Sequence, residues 1–237
     1  MRGSMGGIVP LVQAGHHDMG AGMEMEAPQM GMDTGETAVA VSIFLSMWVT
    51  MMVAMMFPAV APMVIAHWRI AARRDESPLS VPLFIGSYLA VWSASGAFAY
   101  LLYRLTLAFV PPMPARTAGV LAGGIVAIAG IYQLTPLKWA CLKACRTPFQ
   151  HFFSWRPGLR GGTRMGARHG LSCLGCCWAL MLVHFVVGLM NLVWMGVLAA
   201  VIFAEKVLPF GALTAKPLGL ALVAIGLVIA AWPAVLV

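Results

Sequence analysis

From Thr37 to Trp68, and again from Gly170 to Ala204, the chain contains no Asp, Glu, Lys or Arg. At 1.5 Å per residue either stretch, as a helix, is longer than the roughly 30 Å of hydrocarbon in a bilayer. Further apolar runs lie at about 81–110, 117–137 and 217–237. In lipid every backbone donor and acceptor must be satisfied within the protein, so such runs become helices or the strands of a closed barrel. No extended alternation of apolar and polar residues supports a barrel. With 61% of residues hydrophobic, 10% charged and a mean hydropathy of +0.87, a soluble domain is excluded. The expected fold is all-α, a polytopic transmembrane bundle.

Five spans are expected, the first over about 40–66 and the third continuing as helix through "LKWACLKAC" toward Arg146. The count becomes six if 171–206 is a hairpin turning at "GLMN". At 100° per residue, Cys173, Cys177, Met181, His184, Gly188, Asn191 and Met195 share one side of a single helix. That common phase favours one long helix over a hairpin. Pro217 is expected to open the last span.

The net charge of +7 is placed, not spread. Arg69, Arg73 and Arg74 follow the first run. Lys138, Lys143, Arg146, Arg156, Arg160, Arg164 and Arg168 crowd a basic stretch at 138–170, read as a cytoplasmic loop. This is a topology signal and an attraction to anionic lipid heads, not a nucleic-acid patch. It puts residues 1–38, a flexible His/Met-rich tail, outside, and leaves 39–237 as one transmembrane domain. The setting is a prokaryotic inner membrane. Arg104 and Glu205, the two ionisable groups within apolar runs, are expected at interfaces.

An odd number of cysteines, five, beside a cytoplasmic loop argues for reduced thiols that bind metal or do redox work. In "CLGCC", Cys173, Cys176 and Cys177 stand at i, i+3 and i+4. In "CLKAC", Cys141 and Cys145 stand one turn apart, beside Lys138, Lys143 and Arg146, which should favour thiolates. Thiolates in that spacing suit Cu(I), and also Zn(II). In "SMWVTMMVAMMFP", Met47, Met51 and Met55 are one turn apart, with Met52 and Met56 as a neighbouring row. Thioethers bind Cu(I) without deprotonation, although methionine also serves as an apolar filler. Met181, His184 and Met195 extend the cysteine face. In the tail, His16 and His17 lie among five methionines and can capture copper. There is no phosphate loop, no His-Glu-x-x-His and no nucleophile with its base, so enzymatic chemistry is disfavoured.

Together "MWVTMMVAMMFPAVAPM", "YQLTPLKWACLKACRTP", "MGARHGLSCLGCCWALM" and "GLMNLVWM" followed by "EK" resemble the DUF2182 family of prokaryotic integral membrane proteins, over about residues 40–210. The resemblance implies membrane location and metal binding at Cys141, Cys145, Cys173, Cys176 and Cys177. In that family a further hydrophobic helix commonly precedes the Met-rich segment. Only "IVPLVQA" stands there in this chain, so the start reads as truncated or wrongly assigned, and the tail in that case as an outside loop.

The function expected from these residues is copper handling in a membrane: capture, transfer or delivery of Cu(I), with a copper chaperone or a cuproenzyme as partner. A membrane thiol-disulfide oxidoreductase, with Cys176/Cys177 or Cys141/Cys145 cycling, is the alternative. A structural subunit of a membrane complex, packed through small residues, is the third.

Overall fold

A computed structural model describes residues 34–109, 111, 113–147, 158–187, 192–208 and 211–232. The described residues form seven helices and no strand: α1 Thr34–Arg73, α2 Ser80–Phe109, α3 Ala115–Gln133, α4 Pro136–Arg146, α5 Leu159–Val187, α6 Leu192–Val207 and α7 Gly211–Ala231. Of these, α1, α2, α3, α5 and α7 are long and apolar enough to cross a membrane. The all-α class expected from the apolar runs is the one found.

Four boundaries differ from expectation. The third span does not run on toward Arg146; it stops at Gln133, and α4 begins anew at Pro136. Pro136 has no amide to donate and disfavours helix in the residue before it, so it fits only a first turn. The Thr135 hydroxyl caps that turn, accepting from Lys138 N at 3.4 Å. Pro217 does not open the last helix but lies six residues inside α7. Helix α5 starts at Leu159, well inside the stretch read as loop. Its first turns are held by Gly162, Gly166 and Gly170, one per turn, which lie against Ser80, Phe84 and Val91 of α2. A methyl group on Gly162 would stand 2.6 Å from the Ser80 carbonyl oxygen, so the two backbones come this close only because the glycines have no side chain. The sequential order of these contacts makes α2 and α5 parallel.

The fourth difference concerns the long helix. If α5 and α6 were continuous, the 33 residues from Cys173 to Lys206 would separate them by about 50 Å. Instead Lys206 Nζ is 2.9 Å from Cys173 Sγ. The chain reverses between Val187 and Leu192, and α6 returns alongside α5. The four residues between them, GLMN, begin and end with the two residue types that most readily terminate helices. The expectation of one long helix is therefore wrong and the hairpin is right, but the count of helices long and apolar enough to cross, among the described residues, is the five expected, because α6 has only 16 residues.

Helix α5 is the centre of the bundle: 61% of its most apolar window is buried, against 22% for those of α1, α2 and α7. It packs on α2, α3, α4 and α6. Helices α3 and α7 form an antiparallel pair joined by glycines, Gly123 against Gly226 and Gly130 against Gly219. The end of α1 and the starts of α2 and α5 meet at one end of the molecule, where His67 Nε2 and Ser80 Oγ are 3.0 Å apart and Gly158 N donates to Glu76 at 3.0 Å. Arg160, Arg164 and Arg168 line an exposed face of α5 there. This is the basic end.

Glu205 is not interfacial, as expected from sequence, but 2% exposed. Lys138 Nζ of α4 donates to its Oε2 at 2.6 Å, and Gln133 Nε2 to its Oε1 at 3.2 Å. Arg146 Nη1 and Nη2 donate to the carbonyls of Glu205 and Leu208 at 2.7 and 2.6 Å, at the C-terminus of α6 where a cation is favoured. These bonds fasten α4 to α6. Arg104 keeps a partly buried position, bonded to Tyr100 Oη at 3.0 Å.

Two substitutions test this packing in thermal unfolding of the detergent-solubilised protein. Gly166→Val, which has no room against Phe84 and Ser87, should destabilise by about 1–3 kcal/mol or more, whereas Gly86→Ala, in open space, should be neutral or mildly stabilising. Lys138→Met, which strands the Glu205 carboxylate, should cost about 3–5 kcal/mol, and adding Glu205→Gln should recover much of it.

Candidate metal centre

One face of α5 carries Met165, His169, Cys173, Cys176, Cys177, Met181 and His184, all buried at 1–6% exposure. Of the shared face expected from sequence, Cys173, Cys177, Met181 and His184 do line up on one helix. Met195 belongs to α6 and reaches the same core from there, half-buried. Gly188 and Asn191 lie outside the described residues, as do His16 and His17.

Cys173 is where three other helices converge. Its Sγ lies 2.9 Å from Lys206 Nζ of α6 and 3.2 Å from Tyr88 Oη of α2. The same ammonium is 4.0 Å from Cys177 Sγ and 3.6 Å from Met56 Sδ of α1. Two thiols and a thioether from different helices thus surround one cation. Cys176 and Cys177 each donate to the Cys173 carbonyl, at 3.1 and 2.9 Å, which fixes where their sulfurs stand.

A second sulfur group faces α4. Cys145 Sγ is 3.7 Å from Cys176 Sγ. Cys141 Sγ rests over Gly175, where an added methyl would be 2.7 Å away, so Gly175 is a seat only glycine provides. The Gly175 carbonyl accepts from Tyr132 Oη at 2.5 Å. Both α4 thiols have pKa values raised above the usual thiol range: Cys141 by burial and then by Cys176, Cys145 by its hydrogen bonds to Cys173 and Cys176 and then by burial. This corrects the expectation that their basic neighbours favour thiolates. Lys138 is turned to Glu205, Arg146 to backbone carbonyls, and Lys143 is exposed. The cation that meets the sulfurs is Lys206, which the sequence reading left out.

Among the methionines of α1, Met52, Met55, Met56 and Met63 are buried, Met51 is half-buried against the core, and Met47 is exposed at 37%. The neighbouring row thus supplies more of the core than the 47/51/55 row. Since Met56 and Cys173 both approach Lys206 Nζ and the Trp48 ring lies 5.9 Å from Phe185, α1 and α5 run antiparallel, with Met55 near the height of the cysteines and Met52 between them and His184. Toward the basic end the column continues in His169 and His67, both 3% exposed. His169 lies 5.9 Å from the Tyr88 ring and 6.1 Å from Phe84, and His67 stacks on Phe84 at 4.9 Å. The spacing of His169 four residues before Cys173, and of His67 eleven after Met56, was the available signal for both.

Among the described residues, no three His, Cys, Asp or Glu side chains are disposed as a ready metal site. The donor set at Cys173 is instead two thiols and a thioether, with Lys206 at its centre. Soft sulfur in low coordination number is what Cu(I) takes, so the residues fit that ion better than one demanding four closed ligands.

Comparison with curated proteins and with solved structures finds no match. A family model described as "PpoB2: Copper chaperone" matches residues 45–229, a range that contains every helix discussed above except the first residues of α1 and the last of α7. The chain belongs to the PpoB2 copper chaperone family.

Proposed function

We propose that this protein is an integral membrane carrier of Cu(I), in which Cys173, Cys177 and Met56 hold the ion and the α4 thiols Cys145 and Cys141, with Cys176, form an adjoining acceptor set. The observation that carries the reading is the meeting of sulfurs from α1 and α5 around one cation in an apolar interior. The copper-chaperone family and the resemblance to predicted metal-binding membrane proteins support the same ion. The five long apolar helices support a bilayer setting, and the basic end supports an orientation with that end in the cytoplasm of a prokaryotic cell.

The route follows the ligands. His16 and His17 of the outer tail capture copper, and Met55, Met52, Met181 and His184 line the way inward, helped by Met51 and Met195 at its margin. Neutral thioethers and imidazole exchange ions readily; paired thiolates hold them more tightly. Copper therefore moves from the weaker ligands to the stronger, and from the cysteines to a soluble chaperone or a cuproenzyme at the basic end.

Copper per chain, measured after purification from copper-supplemented cells, tests this. The parent should retain copper, and Cys173→Ser and Cys177→Ser should each weaken retention on the order of tenfold or more. Equal, near-zero copper in all three would overturn the reading.

Thiol-disulfide exchange is favoured by one observation, the 3.7 Å approach of Cys145 to Cys176 from different helices. Alkylation of the resting protein separates the two. Free thiols that copper protects belong to a carrier, whereas a Cys145–Cys176 disulfide in the isolated protein belongs to an oxidoreductase.

A further inference from the structure

Lys206 lies within reach of three sulfurs, yet a lysine ammonium is no ligand for a soft metal. A carrier site with a permanent cation beside its ligands is at first sight a poor one, because the cation repels the cargo. The repulsion has a use when charge is counted. Two thiolates, Cys173 and Cys177, carry −2 when metallated, and Lys206 contributes +1. A monovalent ion brings the group to zero; a divalent ion leaves it at +1 in a low-dielectric interior, where an unbalanced charge is expensive. Compensation would take a third thiolate, and the neighbouring thiols, Cys176 and Cys145, face each other at 3.7 Å on the α4 side. The nearest carboxylate, Glu205, is already matched by Lys138 at 2.6 Å, and Arg146 adds positive charge to the same region.

The position of the ammonium also bears on exchange. At 2.9 Å from Cys173, 3.6 Å from Met56 and 4.0 Å from Cys177, it stands among the atoms that would hold the ion. Lys206 is half-buried as a residue and its stem is flexible, so the ammonium can shift off the ligand atoms without unfolding α6. Shifted in this way it still stands beside them, so that it counts in the charge of the metallated group and the interior never holds two thiolates with nothing opposite them.

We infer that Lys206 is the specificity-determining residue of this site: a built-in counter-cation that stays beside the cysteine pair and restricts it to monovalent soft ions. The inference rests on the proposed binding of Cu(I) at Cys173 and Cys177, and its test reads the two claims separately. The full chain in detergent is offered Cu(I) and Cd(II), a thiophilic divalent ion, at equal concentration, and each metal is counted after desalting. The parent should hold Cu(I) in large excess. In Lys206→Gln the Cu(I)-to-Cd(II) ratio should fall by roughly tenfold or more, a conservative figure for a full charge within about 4 Å. Lys206→Arg should restore the ratio, and adding Cys173→Ser to Lys206→Gln should abolish the extra Cd(II). Lys206→Leu gives a second neutral variant, and the comparison is read on whichever elutes as the parent does. An unchanged ratio in the neutral variant, with Cu(I) still bound by the parent, overturns the role of Lys206 alone. Failure of the parent to bind Cu(I) overturns the cysteine site and the selectivity together.

Discussion

A charge inside an apolar bundle must be answered by another group, and in this protein two consecutive residues of α6 impose that demand in different directions. Glu205 is answered by Lys138 and Gln133, Lys206 by sulfur. Side chains one residue apart on a helix point about 100° from each other. The same turn of α6 therefore reaches α4 with one side chain and α1 and α5 with the other. The arrangement of both sulfur groups follows from this turn. Without the Glu205 pairing, α4 would lose its buried ion pair and hold Cys145 against Cys176 through Arg146 alone; without Lys206, Cys173 and Cys177 would have no charge opposite them. Breaking a buried pair costs far more than the pair contributes, so these contacts specify geometry more than they add stability.

Much of this was legible in the sequence, because lipid-length apolar runs admit few alternatives. The start and end of α2, the buried face of α5 from Cys173 to His184, and the clustering of basic residues at one end all follow from composition and a period of 3.6. What failed was the inference from phase to continuity. Met195 falls on the cysteine face when the helix is drawn through GLMN, yet it reaches the core from a separate helix. Any helix packed on a shared core points apolar residues at it, so agreement of phase across a turn carries little information. The residue types at the turn were the better signal: counting equal lengths back from GLMN pairs Lys206 with Cys173.

The same error hid the cation. Read at the far end of a long helix, Glu205 is interfacial and needs no partner, and Lys206 beside it has no evident role. Read on a returning helix, they arrive beside the cysteines. The α4 thiols show the complementary lesson. Lys138 and Arg146 are neighbours of Cys141 and Cys145 in sequence, but the helix turns their charges toward Glu205 and the end of α6. Proximity in sequence does not decide which group a charge serves.

The glycine contacts divide the molecule by stiffness. At Gly162 and Gly166, where α5 meets α2, and at Gly123, Gly130 and Gly226, where α3 meets α7, the nearest atoms across the seam are backbone, with little side chain between to rearrange. Such seams are rigid because sliding by even one residue would drive a side chain into backbone. Helices α4 and α6, by contrast, are joined to each other by the side chains of Lys138 and Arg146, which can lengthen, swing and re-form. The α5 sulfurs thus stand on a fixed post, with Cys141 of α4 seated on it at Gly175, while the ammonium of α6 is borne by a jointed arm. A bundle built this way can change what faces the cysteines without moving the cysteines themselves.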